Sequence, residues 1–242
     1  MKGKLILFPV PIGAEECSHS IPAWNIELLN SCHTFVVEEV RTARRFLKHV
    51  GYAHPIDSTT FYELNEHTDP RSVMTVKSLE QYLEPVNNGE NVGLLSEAGL
   101  PCVADPGMLI TSLAQQKGIE IVPLVGPSSI MLALMASGFN GQNFAFVGYL
   151  PVDRNERAKQ IRRLENRLIK EHQTQILIEA PYRNNQMLAA LSDLCQDETK
   201  ICVACDITMP TQQIISRKAC DWRKLRDTID LHKRNTVFLI GE

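Results

Sequence analysis

Two carboxylates, Glu97 and Asp105, lie in a turn built mostly of small residues, LSEAGLPCVADPG (95–107), and a second small-residue turn, VPLVGPSS (122–129), follows it. Small residues let backbone amides and carbonyls approach a ligand closely. Ser96, Glu97, Ala98, Gly99 and Asp105 in the first turn, with Pro127, Ser128 and Ser129 in the second, are therefore candidate walls of one small-molecule site. Neither common phosphate cradle, GxxxxGKS/T or GxGxxG, is present. Carboxylates repel a nucleotide phosphate unless a metal intervenes, but they suit hydroxyls or a cation. A tight connection is the plainer reading of either turn alone; the pairing argues for a site.

Each turn stands between a short apolar run and a helix-like stretch, so the elements that position it can be read from periodicity. Strand-like runs fall at 4–8, 34–38, 92–96, 119–124, 144–148, 175–179, 201–207 and 236–241, with helix-like stretches such as 108–117 and 128–137 between most of them. That alternation predicts an α/β fold. Several runs are continuously apolar, as expected where helices cover both faces of a sheet. Open α/β sheets bind ligands outside the carboxyl ends of their strands. The turns at 95–107 and 122–129, and VPIG (10–13) after the first run, all fall there. The double-proline segment 123–127 stiffens a hinge and predicts domains at 1–122 and 123–242.

Other charged groups cluster. Glu38, Glu39 and Arg41 end a strand and open a helix, where a carboxylate could equally serve as a cap favoured by the helix dipole. Arg41, Arg44, Arg45 and Lys48 recur on one helical face, and Lys159, Arg163, Arg167 and Lys170 form a second stripe. Between 154 and 170 there are seven basic residues and two acidic ones. Such stripes are either solvated faces or a footprint for an RNA backbone. His67, beside Asn65 and Glu66, could face a substrate or simply occupy a surface loop.

Composition excludes other classes. The 242 residues carry a net charge of −3, with 44% apolar and 22% charged content, and no apolar run reaches membrane-helix length. The opening MKGKLILFPVPIG reads as a first strand rather than a signal peptide. The seven cysteines are an odd number, and Cys202 and Cys205 in ICVACDI would point to opposite faces of a strand. Core thiols in a reduced, cytoplasmic protein follow, with no metal site expected.

The ordered set VPIG (10–13), VEEVRTARRFLKHVG (37–51), LNE (64–66), LSEAGLPCVADPG, VPLVGPSS, FAFVGYLP (144–151), IEAPYR (178–183) and VFLIGE (237–242) resembles the tetrapyrrole methylase superfamily. Within it the set is most similar to the branch that methylates the 2′-hydroxyl of a cytidine in small-subunit ribosomal RNA. The resemblance implies two α/β domains with S-adenosylmethionine in the cleft between them, bordered by Pro11 and walled in part by Glu179 and Ala180. It places Glu39, Arg41, Asn65 and Glu66 on the substrate side. Ribosomal RNA or the small ribosomal subunit is the implied partner, and a homodimer the implied assembly. The chain departs from the family where Glu-Asp-Thr-Arg becomes EEVR, where Glu-Ser-Pro-His-Arg becomes EAPYR, and where the lysine of Glu-Leu-Thr-Lys becomes Met209. The run TMPTQ (208–212) is closer to branches acting on corrin and porphyrin rings. Three readings stay open: an RNA ribose methyltransferase, a methyltransferase acting on a tetrapyrrole or other small molecule, and a cofactor-binding protein without turnover.

Overall fold

The apolar run Leu5–Phe8 forms β1, one strand in from the edge of a five-stranded sheet, in a computed structural model that describes residues 2–13, 17–65, 68 and 73–242. Glu66 and His67 lie outside the described residues. Along the chain follow α1 (Ala23–Leu29), β2 (Cys32–Val37), α2 (Val40–His49), β3 (Thr60–Glu63), α3 (Val73–Tyr82), α4 (Glu84–Asn87), β4 (Asn91–Leu95), α5 (Met108–Gln116) and β5 (Ile121–Pro123). The strands lie in the order β3-β2-β4-β1-β5, and every pairing is parallel.

Strand alternation splits the apolar residues between two cores. Ile6, Phe8, Phe35 and Val37 pack with Leu29 of α1 and with Ala43 and Leu47 of α2. Leu5, Val36, Val92 and Leu94 pack on the other face with Leu79 of α3 and with Ile110 and Ala114 of α5. Both faces are covered, which is why β1 and β4 read as unbroken apolar runs.

The chain divides into two compact units, Met1–Ser128 and Ser129–Glu242. The first unit therefore runs past the boundary expected after residue 122. The reason is β5, which pairs in register with β1 and would be cut by a boundary there.

The second unit begins with α6 (Ser129–Ser137) and continues through β6 (Phe144–Tyr149), α7 (Arg154–Glu171), β7 (Thr174–Ile178), α8 (Asn184–Leu194), β8 (Lys200–Cys205), β9 (Gln213–Lys218), α9 (Ala219–Leu225) and β10 (Thr236–Gly241). Its sheet has the order β6-β7-β10-β8-β9. Only β6 and β7 pair in parallel; β10 runs antiparallel to β7 and β8, and β9 antiparallel to β8. Ile161, Leu164 and Leu168 form the buried stripe of α7 and meet Met187, Leu188 and Leu191 of α8, with Trp222 of α9, over Phe238 and Ile240. Asp153 caps α7 by accepting from the amides of Asn155 and Glu156, both at 2.9 Å. Cys205 shares this core with Ile201 and Val203, while Cys202 alternates to the opposite face, where its residue pairs with Ser216. Both thiols are buried and free.

Candidate functional site

Because the first sheet is wholly parallel, the chain leaves all five strands at one edge, and that geometry collects the predicted residues of the first unit that follow its strands. The carboxyl ends present Pro9–Gly13 after β1, Glu38 and Glu39 after β2, Leu64 and Asn65 after β3, Ser96–Gly99 after β4 and Leu124–Ser128 after β5. The strand order supplies a switch point. From β1 the chain moves toward β2 on one side, whereas from β4 it crosses to β5 on the other, and β1 and β4 are neighbours. Crevices for ligands open at such points.

Three loops are fastened together there. The Val10 amide donates to the Gly99 carbonyl at 3.0 Å, and the Gly99 amide returns a bond to the Val10 carbonyl at 3.1 Å. The buried Ser96 hydroxyl donates to the same Gly99 carbonyl at 3.0 Å. Gly99 has φ +74, and a Cβ on it would stand 3.1 Å from Ile12 Cγ2 and 3.4 Å from the Pro127 carbonyl oxygen. Glycine is the residue that adopts this left-handed backbone without strain, and its lack of a side chain lets the loops 10–13 and 124–128 close on it. Pro9 and Gly126 touch in the same way: a Cβ on Gly126 would fall 2.2 Å from Pro9 Cβ. The side-chain amide of Asn25 in α1 donates to the Val125 carbonyl at 2.8 Å, anchoring the third loop from beneath.

The carboxylates at this edge have separate tasks. Glu39, expected on the substrate side, is the N-cap of α2. It accepts from the Arg41 amide at 2.7 Å and from the Thr42 amide and hydroxyl at 3.0 and 2.8 Å. Those bonds, the Arg41 amide first, hold its pKa below the usual glutamate range. Asp105, expected to wall the cofactor, turns inward on its own loop. Its two oxygens accept from the Cys102 amide at 2.8 and 2.9 Å, and one also accepts from Gly107 at 2.7 Å. Cys102 and Ala104 both have positive φ, at 68° and 62°, so Asp105 braces a backbone that ordinary residues adopt at a cost. Burial raises the Asp105 pKa against the pull of those amides.

Glu38 earns a place at the edge that its sequence context alone did not give it. Its carboxylate accepts from the Glu97 amide at 3.2 Å and so ties the end of β2 to the end of β4. Glu97 itself is exposed. Partial loss of solvent, with repulsion from Glu39, raises its pKa. Arg41 is exposed on the first turn of α2. Asn65 is half-buried, its amide bonded to the Thr68 hydroxyl at 3.2 Å. Pro11 is half-buried and Ala98 exposed; Ser129 opens α6 in the second unit.

In the second unit Glu179 and Ala180 follow β7. One Glu179 oxygen accepts from the Ala180 amide at 2.7 Å and from Arg183 Nε and Nη2 at 3.0 and 2.6 Å. The other oxygen is buried with no partner among the described residues, which is costly for a carboxylate and marks a place where a donor from a ligand would fit. The Ala180 amide is already engaged, so only its carbonyl side and methyl remain as wall. The TMPTQ loop is held from below by Arg234, which reaches Asp206 at 2.8 Å, the Thr211 carbonyl at 2.7 Å and Gln213 at 3.1 Å. Asp206 and Thr208 have φ +50 and +72. Nothing local in the sequence linked Arg234 to this loop, since the two are joined only by the pairing of β8 with β10.

Among the described residues no group of three or more histidine, cysteine or acidic side chains is placed to hold a metal, and no helix is long and apolar enough to cross a membrane. The α2 stripe is exposed, Arg44 pairing with Asp57 at 3.2 Å and lying 5.8 Å from the Phe61 ring centre. On α7, Lys159 pairs with Glu156, whereas Arg163, Arg167 and Lys170 make no ion pair among the described residues.

The α/β architecture with two sheets agrees with the folds of known proteins. The family profile of the Tetrapyrrole (Corrin/Porphyrin) Methylases matches residues 17–220, and the chain belongs to that family, a class of methyltransferases. It is 30% identical over 88% of its length to a Bacillus subtilis protein named ribosomal RNA small subunit methyltransferase I, covering 66% of that protein. It is 28% identical over 87% of its length to the Vibrio cholerae protein of the same name, covering 67% of it. The chain thus spans about two thirds of the length of these relatives. Among solved structures, the methyltransferase CobJ superposes with a TM-score of 0.61 over 99% of this chain and 94% of its own, at 19% identity, a likeness of fold.

Proposed function

We propose that this chain transfers a methyl group from S-adenosylmethionine to small-subunit ribosomal RNA, at the 2′-hydroxyl of a cytidine ribose. The observation that carries the cofactor reading is the fastening of three small-residue loops around Gly99 at the switch point of a parallel sheet. The acceptor reading rests on the relatives named as ribosomal RNA methyltransferases and on the two solvent-facing basic stripes. Bound there, the cofactor supplies an electrophilic methyl carbon, and the protein contributes mainly proximity and alignment.

The chain's own groups divide the work. Pro11, Ser96, Ala98, Gly99, Pro127 and Ser128 present backbone and small side chains to the cofactor; Ser129, Glu179 and Ala180 are the second unit's own candidate cofactor contacts. Glu97, the exposed carboxylate of the loop, accepts a hydrogen bond from a hydroxyl, and the unpartnered oxygen of Glu179 takes another donor. Asp105 acts on the cofactor through the loop it braces. Arg41 and Asn65 face the acceptor, and Glu39 orients that helix start as its cap. Glu66, next to Asn65 in the sequence, belongs to the same acceptor-side set. The chain acts as a homodimer.

The test has two parts. Calorimetry of the purified protein with S-adenosylmethionine is expected to give micromolar binding, about −8 kcal/mol. Small subunits from a strain lacking the gene are then incubated with protein and isotopically labelled cofactor, and the RNA is read by mass spectrometry. A methyl group on a cytidine ribose supports the reading. Cofactor binding without RNA methylation, but with methylation of a porphyrin or corrin, would favour the alternative that TMPTQ motivates. Cofactor binding with neither product would leave a binding protein.

A further inference from the structure

In the second unit β6 and β7 are parallel neighbours, so the chain leaves both at the same edge, through residues 149–153 into α7 and through 179–183 into α8. Two tyrosines stand at that edge with their rings in solvent: Tyr149 is 61% exposed and Tyr182 60%. Neither contributes to the core beneath, yet Tyr182 is held in place. The Arg183 guanidinium lies 5.2 Å from its ring centre and donates to its hydroxyl at 3.3 Å. Arg183 is itself fixed by the buried Glu179 carboxylate at 2.6 Å. One ring face is thus backed by a locked cation, and the exposed remainder forms a prepared stacking surface.

The two helices that follow these segments line a cavity of about 590 Å³, with Arg154, Arg157, Gln186, Ala190 and Asp193 on its wall. The Asp193 carboxylate pairs with Arg226 at 2.6 Å, which leaves Arg154 and Arg157 as the wall's charges without an ion pair among the described residues. Arg157 also reaches the Val152 carbonyl at 3.4 Å and so connects the cavity to the stretch that follows Tyr149. The volume falls in the usual range for small-molecule-sized pockets. Beyond it the basic residues of α7 continue along the helix, with Arg163, Arg167 and Lys170 outside any ion pair among the described residues.

Aromatic faces interleaved with arginines next to a positively charged cavity match one polymer best. Unpaired nucleotides offer base faces for stacking and phosphates for guanidinium groups, whereas in a duplex the bases are already stacked on each other. We propose that this edge grips single-stranded RNA, stacking bases on Tyr149 and Tyr182 and taking phosphates with Arg154 and Arg157. The inference rests on the RNA reading of the function and adds where, and in what form, the strand is held.

The experiment measures binding of a fluorescent oligocytidylate, and of a duplex RNA of equal length, to the full chain. Tyr149→Ala and Tyr182→Ala are each expected to weaken single-strand binding about tenfold, and the phenylalanine variants to retain it, because stacking needs the ring and not the hydroxyl. Tyr149→Leu and Tyr182→Leu, which keep apolar bulk, are expected to behave like alanine. Arg154→Ala with Arg157→Ala should lower the log–log salt slope by about 0.7 per arginine. Circular dichroism and calorimetry with S-adenosylmethionine confirm that each variant is folded. Wild-type-like affinity in the alanine and leucine variants would overturn the inference while leaving the RNA reading intact. Duplex RNA bound as tightly as the single strand would overturn it as well. So would unchanged RNA binding with loss of a dimer in sedimentation, which would make this edge an interface between copies. Failure of the wild type to bind any RNA, with cofactor binding normal, would overturn both the inference and the RNA reading.

Discussion

At the scale of single residues, the same chemical group takes different roles according to which backbone amides it meets. Gly99 carries the sharpest consequence. Its positive φ costs any L-residue about 1–2 kcal/mol, and a Cβ there crowds the Ile12 side chain. Gly99→Ala is therefore expected to lower stability by about that amount and to weaken S-adenosylmethionine binding in calorimetry. An unchanged dissociation constant would make the loop purely structural. Glu39 gives a pH test. Its folded pKa lies below the unfolded value of about 4.3, so its capping contribution is fully present above that value and is lost as pH falls through the lowered folded pKa. The melting temperature of wild type should exceed that of Glu39→Gln at neutral pH, and the gap should close in acid. A gap constant down to acid pH would show that charge at the cap contributes nothing.

At the scale of elements, loops at strand ends are braced from within or from a neighbouring strand. The 102–107 loop depends on Asp105, so Asp105→Ala should cost about 1–3 kcal/mol in chemical denaturation, because the amides of Cys102 and Gly107 are left without their acceptor. Asp105→Asn can keep both bonds made by one oxygen and should cost less; equal losses would show that the negative charge, not the acceptor geometry, braces the turn. The α7 stripe is an element of the binding reading. Reversing Arg163 and Arg167 to Glu should flatten the salt dependence of RNA binding by roughly one log–log unit for each phosphate no longer neutralised, with cofactor binding unchanged. A slope identical to wild type would leave that face merely solvated.

At the scale of the whole molecule, each unit has its own core and its own sheet. Trp222 is fully buried in the second unit, its indole N–H donating to the Ile201 carbonyl at 2.8 Å. Trp222→Ala removes both packing and that bond and should destabilise the protein by about 3–5 kcal/mol. Saturating cofactor should raise the wild-type melting temperature, since a ligand at about one hundred times its dissociation constant adds about 2.7 kcal/mol. A Trp222→Ala protein as stable as wild type would mean that this core contributes little to the measured transition.

The apolar runs and small-residue turns by themselves determined the α/β class, the central strands and the two loops of the candidate site, because a strand covered on both faces must be apolar along its length. Two strands were not legible. Thr60–Glu63 and Gln213–Lys218 lie at the outer edges of their sheets, where one side has no neighbour and polar residues are tolerated, so neither shows a continuous apolar pattern. The division of labour among the acidic residues was likewise beyond the sequence. Glu38 and Glu39 are adjacent and alike, and only the pairing of β2 beside β4 sends one to the Glu97 amide and leaves the other to cap α2. Only tertiary structure could join Arg234 to the 206–212 loop or bring Tyr149 to the same edge as Tyr182, because such arrangements depend on which strands become neighbours, and strand order is set by packing across the whole chain rather than by any local run of residues.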